Sequence, residues 1–207
     1  MAEKQRWLRM DMRHAPICVL FAVTAAPVFG ADVTVVMDFE GRHSARSVEE
    51  MKRETQAIVK DSGLHVDWQT QSEAAQKSFS DLVVVRFKGK CLYQRIAYSY
   101  DERGLYDELG PLAFTYSTNG RVQPYSEVSC DNVTAALRPA MRGEFANGDV
   151  LLGRALGRVV AHELMHMLTR SGKHGREGAG KASLSGKQLI GDELPLEQAD
   201  LARITNR

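Results

Sequence analysis

His162-Glu163-Leu164-Met165-His166 is the segment whose residue types and spacing most directly imply chemistry. Residues four apart share a helix face, so two imidazoles placed this way can reach one metal ion at zinc–nitrogen distances of about 2.0–2.1 Å. Glu163 is turned about 100° from His162 on a helix of 3.6 residues per turn. It therefore does not join the pair as an equal ligand, but it can border the ion and accept a proton from a water molecule there. Leu164, Met165, Met167 and Leu168 surround the histidines with apolar groups. Two imidazoles and a carboxylate in such company cost free energy unless something binds them.

A catalytic zinc ordinarily has three protein ligands and one open position. His174, just past Ser171-Gly172, is the leading candidate for the third, with Glu177, Glu193 and Glu197 as carboxylate alternatives. His43 and His65 read as surface or loop histidines. The glycine-rich stretch 172–191 is expected to form a rim to the site.

The elements that must hold these groups follow from hydrophobic period. Leu152, Leu156, Val160, Leu164 and Leu168 form an i, i+4 row, which predicts a long helix over 150–170 with Asp149 as its cap and Gly172 as its stop. Gly153 and Gly157 each cost about 1 kcal/mol of helix propensity against Ala, so a close neighbour is expected at both. Val33, Val35, Met37 and Phe39 alternate as a strand. Ser47, with Glu50 three residues on, reads as the capping box of a helix that Gly63 ends. Leu64, Val66 and Trp68 alternate again, so strand–helix–strand and a parallel sheet are implied. Leu82–Phe87 is β-branched almost throughout, as a central strand is. Leu112–Tyr116 and Val122–Val128 flank an Asn119-Gly120 turn and predict an antiparallel hairpin, with Pro124 confining the second strand to an edge or a bulge.

The segment HELMHMLTRSGKHG, residues 162–175, resembles the metal-binding stretch of zincin metallopeptidases, most closely the metzincin branch. The resemblance implies His162, His166 and His174 as zinc ligands and Glu163 as the general base. Seven residues separate His166 from His174 where metzincins have five, and the matching downstream stretch Gly178–Ala182 has no methionine where metzincins have one. Gly110–Tyr116 is similar to the metzincin edge strand, which implies that Leu112, Ala113, Phe114 and Thr115 bind extended substrate. The implied fold is α+β: a mixed twisted sheet with an antiparallel edge strand, a backing helix and a long active-site helix. The implied activity is peptide hydrolysis, as an endopeptidase rather than an exopeptidase, on a peptide or protein substrate. Alternatives are a non-proteolytic zinc amidohydrolase and an inactive zinc-binding protein on the same fold.

Composition sets the remaining limits. The chain has 207 residues, enough for one domain with a core, and 27 basic against 26 acidic side chains, which gives no nucleic-acid footprint. Residues 1–30 start basic, run apolar from Ala15 and end in small residues, as a secretory signal does. A single zincin-like domain over 31–207 is expected, secreted or periplasmic, monomeric and without stable membrane insertion. Cys91 and Cys130 are the only cysteines beyond the signal and are expected to pair.

Overall fold

The computed structural model describes residues 31–94, 110–141 and 145–206; the expected signal at 1–30 lies outside them. Strands β1 (Ala31–Phe39), β2 (Leu64–Thr70), β3 (Leu82–Lys88), β4 (Ala113–Thr118) and β5 (Arg121–Ser129) form one sheet in the order β2-β1-β3-β5-β4. The pairs β1–β2, β1–β3 and β3–β5 are parallel, and β4 lies antiparallel to β5 at the edge. Helices α1 (Ala45–Val59), α2 (Gln71–Ala74), α3 (Cys130–Leu137), α4 (Gly148–Thr169), α5 (Gly186–Ile190) and α6 (Gln198–Thr205) complete the described elements. The chain is thus mixed α+β, with a five-stranded mixed sheet and one long helix.

Alternation sorts the strands. Val33, Val35 and Met37 of β1, with Val83, Val85 and Phe87 of β3, are buried in one core with Leu152, Leu156, Val160, Leu164 and Leu168 of α4. The i, i+4 row expected to face inward does so. β3 occupies the middle of the sheet, as its β-branched run implies. Pro124 is in an interior strand and not at the edge. It is accommodated at a bulge, because the β4–β5 register shifts between Thr115 and Ser117 and β3 pairs with β5 only from Tyr125 onward. A residue without an N–H therefore costs no ladder bond there.

The glycine pair on α4 is a packing device. A Cβ at Gly153 would meet the Ser47 carbonyl oxygen at 2.5 Å, and one at Gly157 would meet the Glu54 Cβ at 2.6 Å. The helices α1 and α4 come this close only because neither position has a side chain. Arg158, fully buried one residue on, donates from Nε to Glu54 Oε1 at 2.7 Å and through its other nitrogens to the carbonyl oxygens of Gln188, Gly191 and Asp192.

Three helix boundaries differ from expectation. Ser44, not Ser47, caps α1, and its hydroxyl accepts from the Ser47 N–H. Ser47 instead donates to the Asp149 carbonyl oxygen at 3.0 Å. Asp149 lies inside α4, which starts at Gly148; its carboxylate accepts from Ser44, Ser47 and the Tyr93 N–H, so it ties three segments together rather than capping one. At the other end α4 stops at Thr169, and Arg170, at φ 48°, takes the left-handed position expected of Gly172. The N–H groups of Arg170 and Ser171 both bond the His166 carbonyl oxygen, which closes the last turn before the glycine is reached.

Cys91, just after β3, and Cys130, at the start of α3, form a disulfide, as expected. Among the described residues no helix is long and apolar enough to cross a membrane.

Candidate metal centre

The C-terminal half of α4 carries His162, Glu163 and His166, and the loop that follows brings His174 back to them. The ring centroids lie 4.6 Å apart for His162–His166, 5.2 Å for His162–His174 and 4.8 Å for His166–His174. One ligand atom from each histidine lies within 4.8 Å of the other two, a spacing that can hold a metal ion. Glu177, Glu193 and Glu197 do not join this cluster; the Glu197 carboxylate instead accepts from the Glu177 N–H. His166 is buried, His162 half-buried and His174 exposed, so the cluster opens to solvent on the His174 side. His43 and His65 are exposed, away from the site, as expected.

Backbone carbonyls fix the tautomers. His162 Nδ1 is 2.8 Å from the Ala179 carbonyl oxygen, and His166 Nδ1 is 2.7 Å from that of Ser171. A carbonyl only accepts, so each Nδ1 carries the proton and donates it. In a neutral imidazole the other nitrogen is then a bare lone pair. Burial lowers the pKa of both rings and favours the neutral form, opposed by the carbonyl bonds. The two Nε2 atoms face one another at 2.9 Å. Two lone pairs at that distance repel, and a cation shared between them removes the conflict. This donor set, neutral nitrogens outward and Nδ1–H groups anchored behind, fits a metal ion.

Glu163 is 4% exposed. Its Oε2 accepts from Thr115 Oγ1 at 2.6 Å and from Ser126 Oγ at 3.3 Å. Thr115 and Ser126 are direct cross-strand partners, and strand alternation turns both hydroxyls toward α4. Burial raises the Glu163 pKa, while the Thr115 hydroxyl, the nearby His166 and the Ser126 hydroxyl partly offset the rise.

Of the residues expected to bind substrate, Leu112 and Ala113 are half-buried, and Phe114 turns outward. Phe114 pairs with Tyr116 at 4.6 Å between ring centroids, and Tyr116 with Tyr125 at 5.1 Å. Thr115 points its side chain at Glu163. Phe114 and Tyr116 are both exposed on β4, the edge strand.

Part of the stretch expected as a rim is built into the site. Gly178–Gly180 forms a 3-10 turn that presents the Ala179 carbonyl to His162. Gly178 has φ 62°, and a Cβ there would lie 2.0 Å from the Pro195 carbonyl oxygen, so the turn needs glycine on both counts. With no methionine in this turn, the sulfur of Met165 on α4 lies against it, 3.3 Å from where a Gly180 Cβ would be. Asp200 of α6 lies against the same glycine.

Sequence reasoning passes over Ser126, Asp200 and the two anchoring carbonyls. Ser126 had a signal, being a polar residue in phase with inward Val128; the carbonyls had none, because every residue has one. No family model, curated protein or solved structure matches this chain.

Proposed function

We propose that this chain is a zinc-dependent peptidase of metzincin-like build. The observation that carries the reading is the pair of anchored imidazoles whose lone pairs converge at 2.9 Å, with a third ring beside them and a buried carboxylate next in the chain. An antiparallel strand at the edge of a parallel sheet, and a long helix followed by a ligand-bearing loop, support the choice of family. Imidazole donors suit zinc, which in catalytic sites takes three protein ligands.

His162, His166 and His174 would hold the ion. Bound zinc supplies Lewis acidity toward a water molecule and a scissile carbonyl. The chain's own residues do the rest. Glu163 is tied at Oε2 by Thr115 and Ser126, so Oε1 is the oxygen that takes the water's proton and returns it to the leaving amine. A carboxylate raised by burial is better matched to that exchange near neutral pH than an ordinary one. An extended peptide adds to the outer edge of β4 through main-chain hydrogen bonds. The disulfide suits an oxidising compartment, and the enzyme works in the periplasm or outside the cell.

Glu163→Ala tests the reading. It is expected to keep one zinc per chain while turnover of a quenched peptide library falls by a factor of about 10² to 10⁴, the usual weight of a general base. Unchanged turnover would remove Glu163 from the reaction. Zinc bound by the unmodified protein with no peptide cleaved would make it a zinc-binding protein and not a peptidase.

A further inference from the structure

Asp200 is fully buried near the N-terminus of α6, far in sequence from the histidines. Its Oδ1 pairs with Arg203, while Oδ2 has no hydrogen-bond partner among the described residues. That oxygen occupies the room that side chains would need at two places in the metal-site loop. It lies 2.0 Å from where a Gly180 Cβ would be and 2.5 Å from where a Gly175 Cβ would be. The loop is closed on itself by Gly175 N–H donating to the Gly180 carbonyl oxygen at 2.8 Å, and His174 directly precedes this closure.

Two more contacts join the same segments. The Ala179 N–H donates to the Pro195 carbonyl oxygen at 2.9 Å, and the Glu177 N–H donates to the Glu197 carboxylate. The chain from 195 to 200 therefore seats the turn whose Ala179 carbonyl orients His162 and whose start carries His174. As packing alone, a carboxylate with one bare oxygen is a poor plug. Leaving it unpaired in the interior costs free energy that an apolar side chain of similar size would not.

We propose that Asp200 is a positioning residue of the metal centre: its carboxylate seats the Gly175–Gly180 loop, and so fixes the aim of His162 and His174 at one ion. This rests on reading the three histidines as metal ligands. Groups that orient first ligands usually weaken metal binding by about 10- to 100-fold when removed.

The test uses the purified protein and its Asp200→Asn variant, with zinc affinity from chelator competition and the visible absorption of the cobalt(II)-loaded form. Long-range proton–nitrogen NMR of the metal-free imidazoles is recorded alongside. The expected result is zinc binding weakened about 10- to 100-fold. The cobalt spectrum should change, and the His162 signals should no longer report a single Nδ1–H tautomer, while the metal-free protein still melts cooperatively. Wild-type zinc affinity with an unchanged cobalt spectrum would overturn the proposal. Should Asp200→Asn fail to fold, Asp200→Ala combined with Gly180→Ala places a methyl in the vacated space. Its zinc affinity should stay low, and recovery to the wild-type value would show that filling the space suffices without the carboxylate. If the unmodified protein binds neither zinc nor cobalt, the metal reading itself fails, and the tautomer measurement alone decides whether Asp200 orders His162.

Discussion

The two halves of α4 treat buried polarity in opposite ways. In the N-terminal half the helix's own charged groups, Asp149, Arg154 and Arg158, are matched by protein. The Asp149 carboxylate accepts from Ser44, Ser47 and the Tyr93 N–H, and Arg158 reaches Glu54 and three carbonyl oxygens. In the C-terminal half the matching stops short. His162 and His166 are satisfied at Nδ1, yet at Nε2 they confront each other, and Glu163 is held at one oxygen. One helix with one apolar row thus carries a closed polar network at its start and an open one at its end. Where a fold satisfies its buried polar groups with protein, they build structure; where it aims two lone pairs at each other, a shared cation can satisfy both.

The comparison can be broken at either half. Arg158→Met should have the largest effect on stability. It leaves Glu54 and three carbonyls without their cation, and losing one partner of a buried pair costs about 3–5 kcal/mol. Denaturant unfolding should show that loss while the metal-free histidine cluster keeps its imidazole NMR signature. A cost under about 1 kcal/mol would mean that the network at the start of α4 is no more needed than a surface pair.

Thr115→Val comes next. It deletes a bond to a charged group worth about 1.5–3 kcal/mol and so should lower kcat/KM about 10- to 100-fold, with zinc content unchanged. Because the Thr115 hydroxyl holds the Glu163 pKa down, its removal should also move the acid limb of the pH–rate profile upward. An acid limb that stays in place would separate Glu163 from that limb.

The smallest effect is on the stability of the metal-free protein with pH. His162 and His166 have pKa values lowered by burial, so their neutral forms favour the fold. That contribution is fully present above the unfolded histidine value of about 6.5 and is lost as pH falls through the lowered folded values. Glu163 acts in the opposite sense: its raised pKa favours the fold below about 4.3 and the benefit disappears as pH climbs through the folded value. Thermal melts of the metal-free protein should therefore decline from pH 7 toward pH 5, and His162→Asn/His166→Asn should flatten that decline. An unchanged slope in the double variant would assign the pH dependence elsewhere.

Much of this was legible in the residues. The apolar row of α4, the alternation in β1 and β3 and the Asn119-Gly120 hairpin are periodic signals, and periodicity survives folding because it decides which face is buried. The His162-Glu163-His166 spacing was legible for the same reason. Helix ends are less legible: Ser44 rather than Ser47 caps α1, and Arg170 takes the role expected of Gly172. Caps depend on which of several neighbouring groups closes the hydrogen bonds, and three candidates within a few residues look alike in a sequence. The bond from Thr115 to Glu163 has no local pattern, since its two partners lie on different elements of the fold. Asp200 and the Ala179 carbonyl were invisible, since their partners lie across the fold and neither has a local pattern.

Zinc content of the purified protein after exhaustive dialysis, measured for the unmodified chain and for His174→Ala, tests the central claim most directly. One zinc per chain, falling well below stoichiometry in the variant, is the result this structure leads us to expect. No more than traces of zinc in the unmodified chain, or full retention without His174, would contradict it.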